Sequence, residues 1–146
     1  MKRIYEIVKE INDTTQSVNT LIYQKYNKLL DENIPSAQDL LLTTIHQHKE
    51  LTIREIAEKL KITPSAASQQ VSKLANLNYV NREINEKNRR EILVTLSRKG
   101  VEYIDKQEKV ERIITEKLYA KIGEEKLIAF RDILLDIKQV AEDEFK

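Results

Sequence analysis

Lys87, Arg89 and Arg90 stand close together between two stretches that alternate like strands, residues 79–85 and 90–96. Cations at the tip of a hairpin suit contact with a polyanion, and an arginine in particular suits a narrow minor groove. Just upstream, residues 64–78 read as a helix with two faces. Ala67, Val71, Leu74 and Leu77 fall on one side, and Ser65, Ser68, Gln69, Ser72, Lys73 and Asn76 on the other. The polar side holds no acidic residue, although Glu is a favoured residue on exposed helices. Short hydrogen-bonding side chains plus one Lys can approach phosphates and base edges without repulsion. Gln69 and Gln70 carry the amide that pairs in two places with adenine, and Gln69 fits the outward face better. Arg90 is the candidate for minor-groove insertion, with Asn88 beside it and Lys87 and Arg89 on phosphates. The alternative for each of these residues is a solvated helix face or a solvated hairpin tip.

Several elements must position that pair of features. Ile4, Ile7, Val8, Ile11, Val18, Leu21, Ile22 and Leu29 recur near a 3.6-residue period, predicting a first helix from Lys2 to Leu30. Such a helix is about 40 Å long, too long for one small core, so part of it is expected to pack on another subunit. Asp31-Glu32-Asn33 breaks the pattern and Pro35 forbids its continuation. Ser36-Ala37-Gln38-Asp39 opens a second helix, with the Ser36 hydroxyl expected to accept from the Asp39 N–H; Leu40, Leu41, Leu42 and Ile45 follow, and it ends near His48. Thr52-Ile53-Arg54-Glu55 is a complete capping box for a third helix that buries Ile53, Ile56, Ala57 and Leu60. Lys61-Ile62 makes the turn, Thr63 caps the fourth helix, and Pro64 sits at its first position, where a missing N–H costs nothing. The hairpin connection contains no Gly, so Asn85 or Asn88 is expected to take any left-handed position. A fifth helix runs from after Ser97 to about Ile122. Gly123 divides it from a sixth, which is apolar on more than one face: Leu127, Phe130, Leu134, Ile137 and Ala141, with Ile128 and Leu135 beside them. That width suggests burial between subunits.

Composition narrows the function classes. The chain has 146 residues and no cysteine, which excludes disulfides and thiolate chemistry. No run of apolar residues reaches membrane-spanning length and no signal-peptide core is present, so a cytoplasmic protein without a membrane partner is expected. Residues 1–60 hold 8 basic and 9 acidic side chains, residues 61–100 hold 8 and 3, and residues 101–146 hold 9 and 12. Positive charge is thus concentrated where the reading elements lie. There is no Ser/His/Asp grouping, no phosphate-cradling Gly loop and no HExxH, which argues against an enzyme. His46 and His48, the two histidines, are spaced i, i+2 and face different ways on a helix, so no metal site and no cofactor is indicated.

The segment LTIREIAEKLKITPSAASQQVSKLANLNYV resembles the helix pair and strand entry of the MarR family, and NEKNRREILVTLSRKG resembles its wing and following helix. The resemblance implies a mainly α winged helix-turn-helix in the order helix, helix, short strand, helix, helix, strand, wing, strand, helix, helix. Residues 1–146 would form a single MarR-like domain, with a DNA-binding lobe at 36–97 and helical dimerisation regions at 1–32 and 98–146. It implies a homodimer that binds double-stranded DNA, most commonly as a repressor, with recognition residues Ser65, Ser68, Gln69, Gln70, Ser72 and Lys73 and wing residues Lys87, Asn88, Arg89 and Arg90. Similar proteins are often controlled by a small molecule held between the dimerisation helices and the lobe. Tyr23, Tyr26, His46 and Tyr103 would border that space, the alternative being core or boundary residues with satisfied hydroxyls. Two departures stand out. The family's wing Asp, which helps orient the wing arginine, is Asn88 here, and its usual Gly after the recognition helix is Asn78, the next-best left-handed residue. A winged-helix adaptor that binds protein instead of DNA is the rival reading; the cationic hairpin tip argues against it.

Overall fold

A computed structural model describes every residue except 31–33. The expected break at Asp31-Glu32-Asn33 lies outside the described residues. The elements are α1 (Lys2–Leu30), α2 (Ser36–His48), β1 (Glu50–Thr52), α3 (Ile53–Leu60), α4 (Pro64–Asn76), β2 (Val80–Ile84), β3 (Ile92–Leu96), α5 (Arg98–Lys117), a 3-10 turn at Tyr119–Lys121, and α6 (Glu124–Glu144). The chain divides into two units, residues 1–108 and 109–146.

In the first unit, the three strands pair antiparallel in the order β1-β3-β2, with Leu51 opposite Val94 and Val80 opposite Leu96. Helices α2, α3 and α4 pack against this small sheet, and the start of α5 adds Tyr103 and Ile104 to the shared core. Leu41, Leu42, Ile45, Ile56, Ala67, Val71, Leu74, Val94, Tyr103 and Ile104 form the core. The winged helix-turn-helix expected from the sequence is therefore the fold of this unit. At roughly 25 cal/mol per Å² of apolar surface, burial of these side chains supplies the main drive to hold α4 against the sheet.

Local sequence decides how each element starts. Thr52 and Glu55 bond reciprocally, the Glu55 N–H to the Thr52 hydroxyl at 3.1 Å and the Thr52 N–H to the Glu55 carboxylate at 2.8 Å. The start of α2 differs from expectation. Pro35 is the cap, and its carbonyl accepts from the N–H groups of Gln38 and Asp39 at 2.9 and 3.0 Å. Ser36 is already helical, so the backbone has taken the acceptor role expected of its hydroxyl. Leu77, read as inward, is half exposed, because it is the residue at which α4 ends; Leu40 is half exposed on the outer side of α2.

In the second unit, α6 has no buried residue. Phe130, Ile133, Leu134, Leu135, Ile137 and Val140 are all exposed. Gly123, at φ +94°, forms the break before it. The fifth helix ends earlier than expected, at Lys117, and gives way to the short 3-10 turn. In the first unit, α1 likewise leaves Ile4, Ile7, Val8, Ile11 and Leu21 exposed. No helix of the described residues is long and apolar enough to cross a membrane.

Candidate nucleic-acid interface

The turn between α3 and α4 is made by Lys61, which adopts the left-handed conformation at φ 54°, and its N–H closes α3 on the carbonyls of Ala57 and Glu58. Thr63 then caps α4 by accepting from the Ala66 N–H at 3.1 Å, with Pro64 at the first helical position. These two devices start α4 in a fixed direction. Its inward residues Ala67, Val71 and Leu74 are fully buried, while Ser65, Ser68, Gln69, Lys73 and Asn76 are exposed. Gln70 is half-buried, and its Oε1 is enclosed without a hydrogen-bond partner. A two-point contact with adenine uses both ends of the amide, so in this rotamer Gln70 cannot make one. Gln69 is exposed.

The C-terminal end of α4 is closed by Asn78 at φ 65°. The Asn78 N–H bonds the Ala75 carbonyl at 3.0 Å and the Tyr79 N–H bonds the Leu74 carbonyl at 2.9 Å, a Schellman closure. The start of α5 grips this turn. Ser97 donates its N–H to the Tyr79 carbonyl at 3.0 Å and its hydroxyl to the Asn78 carbonyl, and Lys99 donates to the Leu77 carbonyl at 3.0 Å. The Lys99 ammonium also lies 4.3 Å from the centre of the Tyr79 ring. Tyr79 packs edge-on against Tyr103, with ring centres 5.9 Å apart. Helix α4 is thus tied at both ends.

The wing is built without a left-handed residue. The expectation that Asn85 or Asn88 would adopt one is corrected: the positive-φ residues among those described are Lys49, Lys61, Asn78 and Gly123. Two successive turns close the connection instead, with the Asn88 N–H bonded to the Asn85 carbonyl at 3.1 Å and the Glu91 N–H to the Asn88 carbonyl at 2.9 Å. Each asparagine reinforces its own turn through its side-chain carbonyl: Asn85 accepts from the Lys87 N–H at 3.1 Å, and Asn88 from the Arg90 N–H at 3.2 Å. An Asx side chain that bonds the backbone two residues on replaces the need for positive φ. Lys87, Asn88, Arg89 and Arg90 are all exposed, and none of the three cations forms an ion pair among the described residues.

The MarR family model matches residues 34–92, which span α2 through the start of β3. The HTH-type transcriptional repressor MdtR of Bacillus subtilis is 24% identical over 147 aligned positions, covering 100% of this chain and 95% of that protein. Residues 34–92 are thus similar to the MarR family over the segment from α2 to the start of β3. Solved structures share the fold. FabT of Streptococcus pneumoniae, in complex with DNA, superimposes with a TM-score of 0.76 at 19% identity, covering 93% of this chain and 98% of that one. The YusO protein of Bacillus subtilis gives 0.66 at 22% identity, covering 92% and 96%.

The two departures from the family pattern have local explanations. Asn78 occupies the left-handed position that a glycine usually fills, and the Asn88 carbonyl holds the wing turn as a carboxylate would. Arg82 was missed by sequence reasoning. Its guanidinium donates to the Ser72 hydroxyl at 3.2 Å and joins the hairpin to α4. A signal was present: strand alternation puts Arg82 on the same side as buried Val80. Lys99 was missed because its partners, a helix end and a ring face, are made by the fold.

The candidate effector residues lie in different settings. Tyr23 is exposed on a polar stripe of α1 with Asn12, Gln16 and Asn19, and Tyr26 is half-buried. His46 is exposed, 3.5 Å from the Glu108 carboxylate. Tyr103 is a core residue whose hydroxyl donates to Asp39 at 2.7 Å and accepts from Gln107 at 2.6 Å. Its hydroxyl is satisfied within the fold. Among the described residues no group of three His, Asp or Glu is placed to hold a metal ion.

Proposed function

We propose that this chain is a repressor that binds an inverted-repeat operator as a homodimer. The observation that carries the reading is the apolar surface of α1 and α6. Side chains such as Ile4, Ile11 and Leu21 on the first, and Phe130, Leu134 and Ile137 on the second, are each about half exposed or more. A run of apolar residues on two long helices is a liability for a monomer and suits burial against a second copy. A two-fold dimer presents two recognition helices to two half-sites about 10 base pairs apart. Similarity to MdtR, a repressor, supports the sign of regulation, and the fold shared with DNA-bound FabT supports duplex DNA as the partner.

Within each half-site, Ser65, Ser68, Gln69 and Lys73 face the major groove. Gln69 is the base reader and Lys73 a phosphate contact, while Gln70 supports the helix from its inner edge. Arg90 enters the adjacent minor groove, and Lys87 and Arg89 bind the phosphates that flank it. Asn88 fixes the turn that aims Arg90. The free energy comes chiefly from neutralised phosphates, and each contact contributes about −0.9 to the slope of log affinity against log salt. Control by a small molecule would act by preferring one spacing of the two recognition helices.

Solution mass tests the reading. Light scattering should give twice the 17.1 kDa chain mass for the free protein and two chains per duplex in the complex. A monomer at micromolar concentration, binding one chain per duplex, would overturn it.

A further inference from the structure

We propose that Arg82 binds the phosphate strand that runs between the two grooves read by one protomer, and that Ser72 holds its guanidinium in place for that contact. The proposal rests on the DNA-reading assignment of α4 and the wing, and it changes the role of Ser72 from reader to positioner.

The argument starts from strand geometry. Val80, Arg82 and Ile84 alternate onto one side of β2, opposite Leu96, Val94 and Ile92 of β3. Val80 and Val94 are buried, whereas Ile84 and Ile92 are exposed, so this side of the hairpin leaves the core between those pairs. Arg82 sits at that exit. An unpartnered apolar residue there would face water; a long cationic side chain can lay its stem along the rim and carry its charge outward. Its Nη1 reaches α4 and donates to the Ser72 hydroxyl at 3.2 Å. That one neutral bond leaves most of the guanidinium's five N–H donors unused. No carboxylate of the described residues lies within ion-pair distance of Arg82, although Glu83 is its neighbour in sequence. Glu83 alternates to the opposite side of the strand.

The position then names the ligand. A helix in a major groove and a hairpin tip in the next minor groove straddle one sugar-phosphate strand. The group that bridges helix to hairpin at the root of the wing therefore faces that strand. Arginine presents a planar fork that matches two phosphate oxygens, and a fork already held by one bond loses less freedom on contact. The bridge also couples the readers: displacement of the wing relative to α4 would break the Ser72 bond and misplace the fork.

The test uses the full chain and the duplex that wild type enriches from a random library. Arg82→Gln should lower affinity roughly tenfold to a hundredfold in about 0.15 M salt and flatten the log–log salt slope by about 0.9, equally on the enriched site and on a scrambled duplex. Arg82→Lys should keep most of the slope but lose part of the affinity. Ser72→Ala should weaken binding several-fold while leaving the slope and the preferred sequence unchanged. A methylphosphonate scan identifies the contact: one phosphate per half-site whose neutralisation weakens wild type should be silent in Arg82→Gln. Unfolding curves confirm that each variant is folded. Arg82→Gln with the wild-type slope and no silenced phosphate overturns the proposal while the DNA reading stands. A changed base preference in Ser72→Ala overturns the positioning role. Failure of wild type to enrich any duplex removes the DNA reading itself.

Discussion

One added carbon at Gly100 should disturb the turn that ends α4. A Cβ on Gly100 would lie 2.2 Å from the carbonyl oxygen of Tyr79 and 3.3 Å from a methyl of Leu96. The first contact is with backbone, which cannot rotate aside, so either α5 or the turn after α4 must move by about 1 Å. That turn is held by the Ser97 N–H on the Tyr79 carbonyl at 3.0 Å, by the Ser97 hydroxyl on the Asn78 carbonyl, and by Lys99 on the Leu77 carbonyl. Overpacking of this kind costs about 1–3 kcal/mol. Weakening the two Ser97 bonds adds about 0.5–1.5 kcal/mol each. Alanine's better helix propensity offsets about 1 kcal/mol. The net expectation for Gly100→Ala is a loss of about 3 kcal/mol, or roughly 6–12 °C in melting temperature for a chain of this size. The assay is thermal and urea unfolding followed by far-ultraviolet circular dichroism at matched protein concentration, with Lys106→Ala, exposed on the same helix, as the control expected within about 0.5 kcal/mol of wild type. Gly100→Ala melting at or above wild type would refute the claim that α5 fixes the end of α4 by close approach.

Other expectations are more local. Arg90→Ala should weaken DNA binding and reduce preference for A·T steps beside each half-site, measured by selection from a random duplex pool; unchanged preference would mean that the wing does not read the minor groove. Thr52→Ala removes one half of the capping box at α3 and should cost about 1 kcal/mol in urea unfolding, with no change in the DNA sequence preferred. Tyr103→Phe leaves Asp39 and Gln107 without their shared hydroxyl and should destabilise by about 1–2 kcal/mol. If Tyr103 serves the fold alone, that variant keeps the wild-type response to any small molecule that stabilises the protein in a thermal-shift screen. Loss of the response would return Tyr103 to the effector site.

How far the fold was legible follows from where each signal resides. Local signals carried well: the Thr52–Glu55 box, the Thr63-Pro64 start and the left-handed Asn78 are decided within a few residues of themselves. The Ser36 cap failed because a competing acceptor, the Pro35 carbonyl, was one residue away. The wing turn failed differently. Its sequence offered two asparagines that tolerate positive φ, yet both use their side chains to brace turns at ordinary φ. Long-range pairings were invisible. The Arg82–Ser72 bond and the Lys99 contacts join residues 10 and 22 apart through the tertiary fold. Gln69 and Gln70 could not be separated by type; the enclosed Oε1 of Gln70 separates them by position.

The most direct test of the central claim is selection of binding sites by the purified wild-type protein from a random duplex library in about 0.15 M salt. The account predicts enrichment of a palindrome whose half-site centres lie about 10 base pairs apart, with A·T-rich steps where the wings fall. Recovery of a single asymmetric half-site, or retention of duplex without any enriched sequence, would contradict it.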